Sequence, residues 1–210
     1  MGDGAPARAD TEPPTPTRVA ARHAITQSAE AILAEEGMPG LTVSAIMRRA
    51  DISRTAFYRL FDDVYAVVAD LVTLLGAELA AASGSWYQGE TGSPEVIHGN
   101  LLSYARAVAP HGSTLEAIRD AGAFDPDVRE LWRRLVRGFA DATEAAIRRD
   151  QDAGAIDAEL DPAGTALALT LMGEQASIAL FGRNGTGTPE SYADLLTPIW
   201  SRTLFLADAG

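Results

Sequence analysis

The sequence predicts an all-α protein in which a small N-terminal three-helix head precedes a larger helical body. Three observations carry that prediction. Apolar residues recur at three- and four-residue spacing along most of the chain, and no alternating stretch competes as a strand. Four places pair an N-cap residue with proline, Ser93-Pro94, Asp125-Pro126, Asp161-Pro162 and Thr188-Pro189. Proline's fixed φ suits the first helical position and its missing N–H is not needed there. Between Leu41 and Phe61, LTVSAIMRRADISRTAFYRLF reads as two short helices about a tight turn.

Residues 1–17, with Gly2, Gly4, Pro6, Pro13, Pro14 and Pro16, are expected to form a disordered arm. Its Arg8, with Arg18 just beyond, could touch a minor groove. From Arg18 to Glu36 the positions Ile25, Ala29, Ile32 and Leu33 form one apolar stripe, stopped by Gly37. Thr42 caps the next helix, whose Val43, Ile46, Met47 and Ala50 share one face. After the Asp51-Ile52 turn, Ser53 caps a helix with Phe57, Leu60 and Phe61 inward and Arg54, Thr55, Tyr58 and Arg59 outward. Two helices so closely joined resemble a helix-turn-helix, whose second helix enters the major groove of DNA.

Asp62 and Asp63 open a longer helix to about Ala82, which joins head to body. Ser83 to Thr91 is a loop in which Trp86 and Tyr87 can pack on the body. Further helices are expected over about 94–109, 113–122, 126–152, 162–182 and 189–207, about nine in all. The chain therefore divides into an arm at 1–17, a head at 18–62 that carries the helix-turn-helix candidate, and a helical body at 63–210.

The net charge of −12 looks wrong for a DNA binder until it is divided along the chain. Residues 18–61 hold six Arg against four acids, whereas residues 62–210 hold ten Arg against twenty-two. The acidity lies beyond the motif. With no lysine anywhere, phosphate contacts must come from Arg, hydroxyls or backbone N–H groups. No cysteine is present, so disulfides and thiolate chemistry are excluded, and His23, His98 and His111 have no metal-ligand spacing. No metal and no cofactor is expected. No apolar run approaches the ~20 residues of a membrane span, and no signal-peptide order is seen. No membrane partner and a cytoplasmic location are expected.

The helix from Leu167 to Phe181, LALTLMGEQASIALF, is apolar almost all round except at Glu174 and Gln175. The last helix carries Tyr192, Leu195, Leu196, Ile199, Trp200, Thr203 and Leu204. A monomer would struggle to cover both. Helices 162–182 and 189–207 are expected to pair with their copies as a four-helix homodimer interface.

The order of head, body and terminal helix pair resembles the TetR family of bacterial transcriptional regulators. The matching stretch is AEAILAEEGMPGLTVSAIMRRADISRTAFYRLF, from Ala29 to Phe61. The body is similar to the ethionamide-resistance repressor branch of that family, at RELW (Arg129–Trp132), LMGE (Leu171–Glu174) and PIW (Pro198–Trp200). The resemblance implies double-stranded operator DNA as a partner, a lipophilic small-molecule effector and a homodimer. It implies that Thr42 and Tyr58 hold phosphates and that Ser53, Arg54, Thr55 and Arg59 lie at the groove. The family commonly has a lysine near the start of the fourth helix; here the run is Asp62-Asp63-Val64. Lysine in place of Val64 should then tighten DNA binding.

The resemblance further implies a ligand cavity in the body. Its expected wall is Val96, Ser103, Trp132, Val136, Phe139, Thr143, Thr170, Gly173, Ile178 and Trp200. Positions that are large or amide-bearing in the similar branch are Val96, Ser103, Ala107, Ala142 and Gly173 here. The function expected is a ligand-responsive DNA-binding regulator, a repressor released by a lipophilic small molecule. The alternative is a helical small-molecule carrier or sensor that has lost DNA binding. No convergent nucleophile, base and metal set marks an enzyme. Glu174 stands in an apolar helix, where a buried Glu is more often paired with Arg or placed at an interface than used as a base.

Overall fold

The computed structural model describes residues 16–205. Among them nine α-helices run α1 (Pro16–Glu36), α2 (Val43–Ala50), α3 (Arg54–Tyr58), α4 (Val64–Ala81), α5 (Pro94–Val108), α6 (Gly112–Ala121), α7 (Pro126–Asp152), α8 (Pro162–Phe181) and α9 (Pro189–Leu204). Short 3-10 turns at Met38–Gly40 and Ala109–His111 precede α2 and α6. No strand occurs among the described residues.

Helix starts follow local chemistry. Thr42, Ser53, Asp63, Ser93, Asp125, Asp161 and Thr188 each accept a backbone N–H through the side chain, and the last four precede proline. Pro16 and Thr17 belong to α1, so the arm ends two residues earlier than expected; proline at the first position starts a helix rather than preventing one. The rest of the expected arm, with Arg8, lies outside the described residues. The last helix stops at Leu204 instead of 207, where Phe205 turns extended.

Helices α1 to α3 form the head around Ile25, Ala29, Leu33, Ile46, Phe57 and Phe61, all buried. The second helix of the pair is shorter than expected. It ends at Tyr58, and a hydrogen-bonded turn carries Arg59 and Leu60, with Phe61 N–H donating to the Phe57 carbonyl. Leu60 is therefore half-buried rather than core. In the body, α7 packs along α8 and α5 along α9, while α1 lies against both α4 and α6. One hydrophobic core runs through head and body.

Two helices, α4 and α8, are in fact long and apolar enough to span a membrane by composition. Their sequences carry this length because both line the interior: Val67, Val68, Leu71, Val72, Leu75 and Leu79 of α4 are buried, as are Ala166, Leu169 and Ile178 of α8. The loop after α4 folds back on α7. Asp150, fully buried, accepts from Trp86 Nε1 at 2.7 Å and from the Gly92 N–H at 2.8 Å, and Arg149 binds its other oxygen at 2.9 Å.

Candidate DNA-reading surface and ligand cavity

The turn between α2 and α3 is built by three residues. Thr42 Oγ1 accepts the Ala45 N–H at 3.1 Å, Ser53 Oγ accepts the Ala56 N–H at 3.2 Å, and Asp51 takes the left-handed conformation at φ 51°. Asp51 is the one non-glycine residue with positive φ among those described, and a short polar side chain is what that region tolerates. Phe57, buried, holds α3 against the core, edge-on to Tyr58 with ring centroids 5.3 Å apart.

This leaves Thr42, Ser53, Arg54, Thr55, Tyr58 and Arg59 all exposed. The Arg54 guanidinium lies over the Tyr58 ring at 5.2 Å, and its Nη2 donates to the Tyr58 hydroxyl at 3.3 Å. Stacking on the next turn holds Arg54 extended along α3, reducing the rotamer freedom it would lose on meeting a base. Behind the surface, Arg22 of α1 binds Asp70 of α4 through two contacts, at 2.6 and 2.9 Å, and Arg49 binds Glu35 the same way. These arginines brace the head. Asp63 is the cap of α4, accepting the Ala66 N–H at 2.9 Å, whereas Asp62 is exposed. Val64 is half-buried against the core, so a lysine there would have to carry its ammonium outward along the stem.

The body contains a cavity of about 430 Å³ bounded by α4, α5, α6, α7, α8, α9 and the loop after α4. Trp132, Val136, Phe139, Thr143, Thr170, Gly173 and Trp200 are in its wall. Val96, Ser103 and Ile178 are not. On α5 the wall is Ile97, Asn100, Leu101 and Tyr104, one helical stripe at i, i+3, i+4 and i+7; Val96 and Ser103 each precede a wall residue by one position, about 100° away around the helix. Ser103 is exposed. Ile178 is buried core one turn beyond Glu174, past the end of the cavity.

Several wall residues went unforeseen. The α5 stripe was legible in its spacing, and Tyr87 in the loop was not. Tyr87 Oη and Thr143 Oγ1 share a hydrogen bond of 3.1 Å, and the Tyr192 hydroxyl donates to the Gly173 carbonyl at 3.2 Å. Burial pushes the Tyr87, Tyr104 and Tyr192 phenols up, so all three stay neutral hydrogen-bonding groups. Glu174 is partnered not by Arg but by Trp132, whose Nε1 donates to Oε1 at 2.9 Å. His98 Nδ1 lies 3.2 Å from Thr197 Oγ1 and His111 bridges Glu30 and Glu78; neither faces the cavity.

The model of the bacterial regulatory proteins of the tetR family matches residues 25–70, and that of the C-terminal domain of the transcriptional regulator EthR matches residues 99–205, half of the chain. The chain belongs to the TetR family, in its EthR branch. Helices α2 and α3 are thus the helix-turn-helix of a TetR-family transcriptional regulator, and most of the cavity wall falls within the EthR-type match, with α4, the loop after it and Ile97 completing it. The chain is similar to the HTH-type transcriptional regulator EthR of Mycobacterium tuberculosis, 27% identical over 188 residues that cover 87% of this chain and 86% of that one. Its counterpart in Mycolicibacterium smegmatis is 24% identical over 184 residues, covering 87% and 85%. A TetR-family regulator from Rhodococcus sp. shares the fold with a TM-score of 0.72 at 19% identity, over 89% of this chain and 99% of that one. TetR-family proteins are DNA-binding regulators rather than enzymes, and they respond to small molecules and act as homodimers.

Proposed function

We propose that this chain is a homodimeric repressor that holds operator DNA through α3 and releases it when an apolar small molecule fills the body cavity. The observation that carries this reading is one chain with both a capped helix-turn-helix exposing Arg54, Thr55, Tyr58 and Arg59 and an apolar cavity of about 430 Å³. The volume is in the ordinary range of small-molecule sites. Residues 18–62 act as the reading head and 63–210 as the sensing and pairing body, and the protein works in the cytoplasm, where its operator is.

Exposed apolar side chains support pairing through the last two helices. Leu167 and Leu171 on α8 and Leu195 and Ile199 on α9 all stand in solvent in the single chain. Tyr192, Leu196, Trp200 and Leu204 of α9 turn instead into their own core.

Coupling between cavity and head is supported by α8. Its middle turns form cavity wall, and just past its end Arg183 donates through Nη2 to the Leu33 carbonyl of α1 at 3.2 Å, beside Gly37. The Arg183 N–H is anchored on Glu116 of α6 at 2.9 Å. A ligand that shifts α8 moves the group capping the last turn of α1, and so the spacing of the two heads. Bound heads must sit about 34 Å apart, one turn of DNA, or a suitable multiple. Effector and operator then oppose one another through that one equilibrium.

The test is fluorescence anisotropy with the DNA upstream of the chain's own gene. A salt-sensitive complex that an apolar compound dissociates supports the reading. No complex with any flanking promoter at low salt overturns it in favour of a helical carrier.

A further inference from the structure

We propose that the cavity selects a lipophilic cation, an amine or ammonium on an apolar chain, which Glu174 holds among aromatic rings. This rests on the ligand-cavity reading above. Among the described residues Glu174 is the one carboxylate in the wall. It is half-buried, and among the described residues only Trp132 Nε1 donates to it, at Oε1. A carboxylate has room for about four hydrogen bonds, so most of its accepting capacity is unused. A negative charge in an apolar wall is stabilised most by a counter-charge brought to it.

The only other charged wall residue is Arg134. Its side chain is 67% exposed with Glu130 at 3.9 Å, so its charge sits in water at the mouth and is screened there. The same wall carries rings. Trp132, Tyr104, Phe139 and Tyr192 are all in the wall, with Tyr104 centred 6.1 Å from Phe139 and 5.9 Å from Tyr192. Ring faces attract a cation, more so once it has left water. Burial raises the Tyr104 hydroxyl, a hydrogen bond with Ser177 opposes that, and the Glu174 charge adds to the rise. The remaining wall, with Leu79, Ile97, Leu101 and Leu135, takes a hydrocarbon chain. The molecule's charge of −12 also concentrates cations around it.

Three probes with the same chain and different heads test this: decylamine, decanol and decanoate, below their micelle concentrations and near neutral pH. Binding is measured by calorimetry and operator release by anisotropy. Decylamine is expected to bind at least about tenfold tighter than decanol, with decanoate weakest. Glu174→Gln keeps the size and a partner for Trp132; it should erase the amine preference while leaving decanol binding in place. Arg134→Gln should leave the preference intact. Equal affinity for amine and alcohol, an amine preference that survives in Glu174→Gln, or a decanoate preference abolished by Arg134→Gln overturns the proposal and leaves the cavity reading standing. Failure of all three probes to bind removes the cavity reading as well. If Glu174→Gln does not fold, the ranking of the probes on the natural chain and on Arg134→Gln decides.

Discussion

Arg54 and Tyr58 act as a stacked pair on the exposed side of α3, and their substitutions should separate reading from holding. Arg54→Ala is expected to weaken operator binding by about 1–3 kcal/mol and to relax sequence preference. Anisotropy against operator variants checks both. Asp62, exposed at the foot of α4, is a better site than Val64 for the lysine common in the family. Asp62→Lys should tighten binding and steepen the slope of log K against log salt by about one unit. An unchanged slope would mean that residue 62 does not meet the phosphates. His111 belongs to the joint between head and body: its Nδ1 is 2.7 Å from Glu30 of α1 and its Nε2 is 3.4 Å from Glu78 of α4. The Glu30 hydrogen bond, then the charges of Glu30 and Glu78, hold the imidazole above its ordinary value of 6.5. Since the folded value is the higher one, this stabilisation is complete below 6.5 and fades as pH rises through the folded value. Tm followed from acid to alkaline pH should show that decline, and His111→Asn should flatten it.

Helix α5 shows how far periodicity goes and where it was set aside. Its stripe of Ile97, Asn100, Leu101 and Tyr104 repeats at helical spacing in the sequence, yet the family resemblance implies Val96 and Ser103. A slip of one residue is invisible to composition and turns a helix by more than a quarter of its circumference. The helix starts, by contrast, were legible almost to the residue, because an N-cap followed by proline is a local instruction. Nothing local announced Asp150. It looks like one more acid in a charged run, RRDQD, and becomes a buried anchor only because Trp86 and Gly92 arrive from some sixty positions earlier. Asp150→Ala strands those donors and the neighbouring Arg149. It should cost about 3–5 kcal/mol, with a fall in Tm of roughly 6–20 °C measurable by calorimetry.

In the assembled regulator, affinity for DNA depends on holding two heads at a fixed distance, so the pairing surface matters as much as the reading surface. Leu171→Glu together with Ile199→Glu places like charges on the exposed faces of α8 and α9. The double variant should run as a monomer in light scattering at micromolar concentration and lose operator binding while keeping its helical content. A dimer that persists would move the interface elsewhere. The head and its family were readable from one stretch, Ala29 to Phe61, because a helix-turn-helix is a local object. The cavity was readable only in outline. Its wall gathers side chains from six helices and a loop, and which of them meet depends on how those helices roll against each other.

All three tryptophans belong to the body and none to the head. Trp132 and Trp200 border the cavity, and Trp86 lies edge-on to Trp200 at 6.3 Å. The protein therefore carries its own optical probe. A ligand entering beside Trp132 should change the colour and yield of the tryptophan emission without any dye, and the DNA-reading helix holds no tryptophan to add to it. Occupancy of the cavity can thus be followed in the same cuvette in which a labelled operator reports release. The order of the two signals in time would show whether the molecule leaves its DNA because it has been filled, or is filled because it has already left.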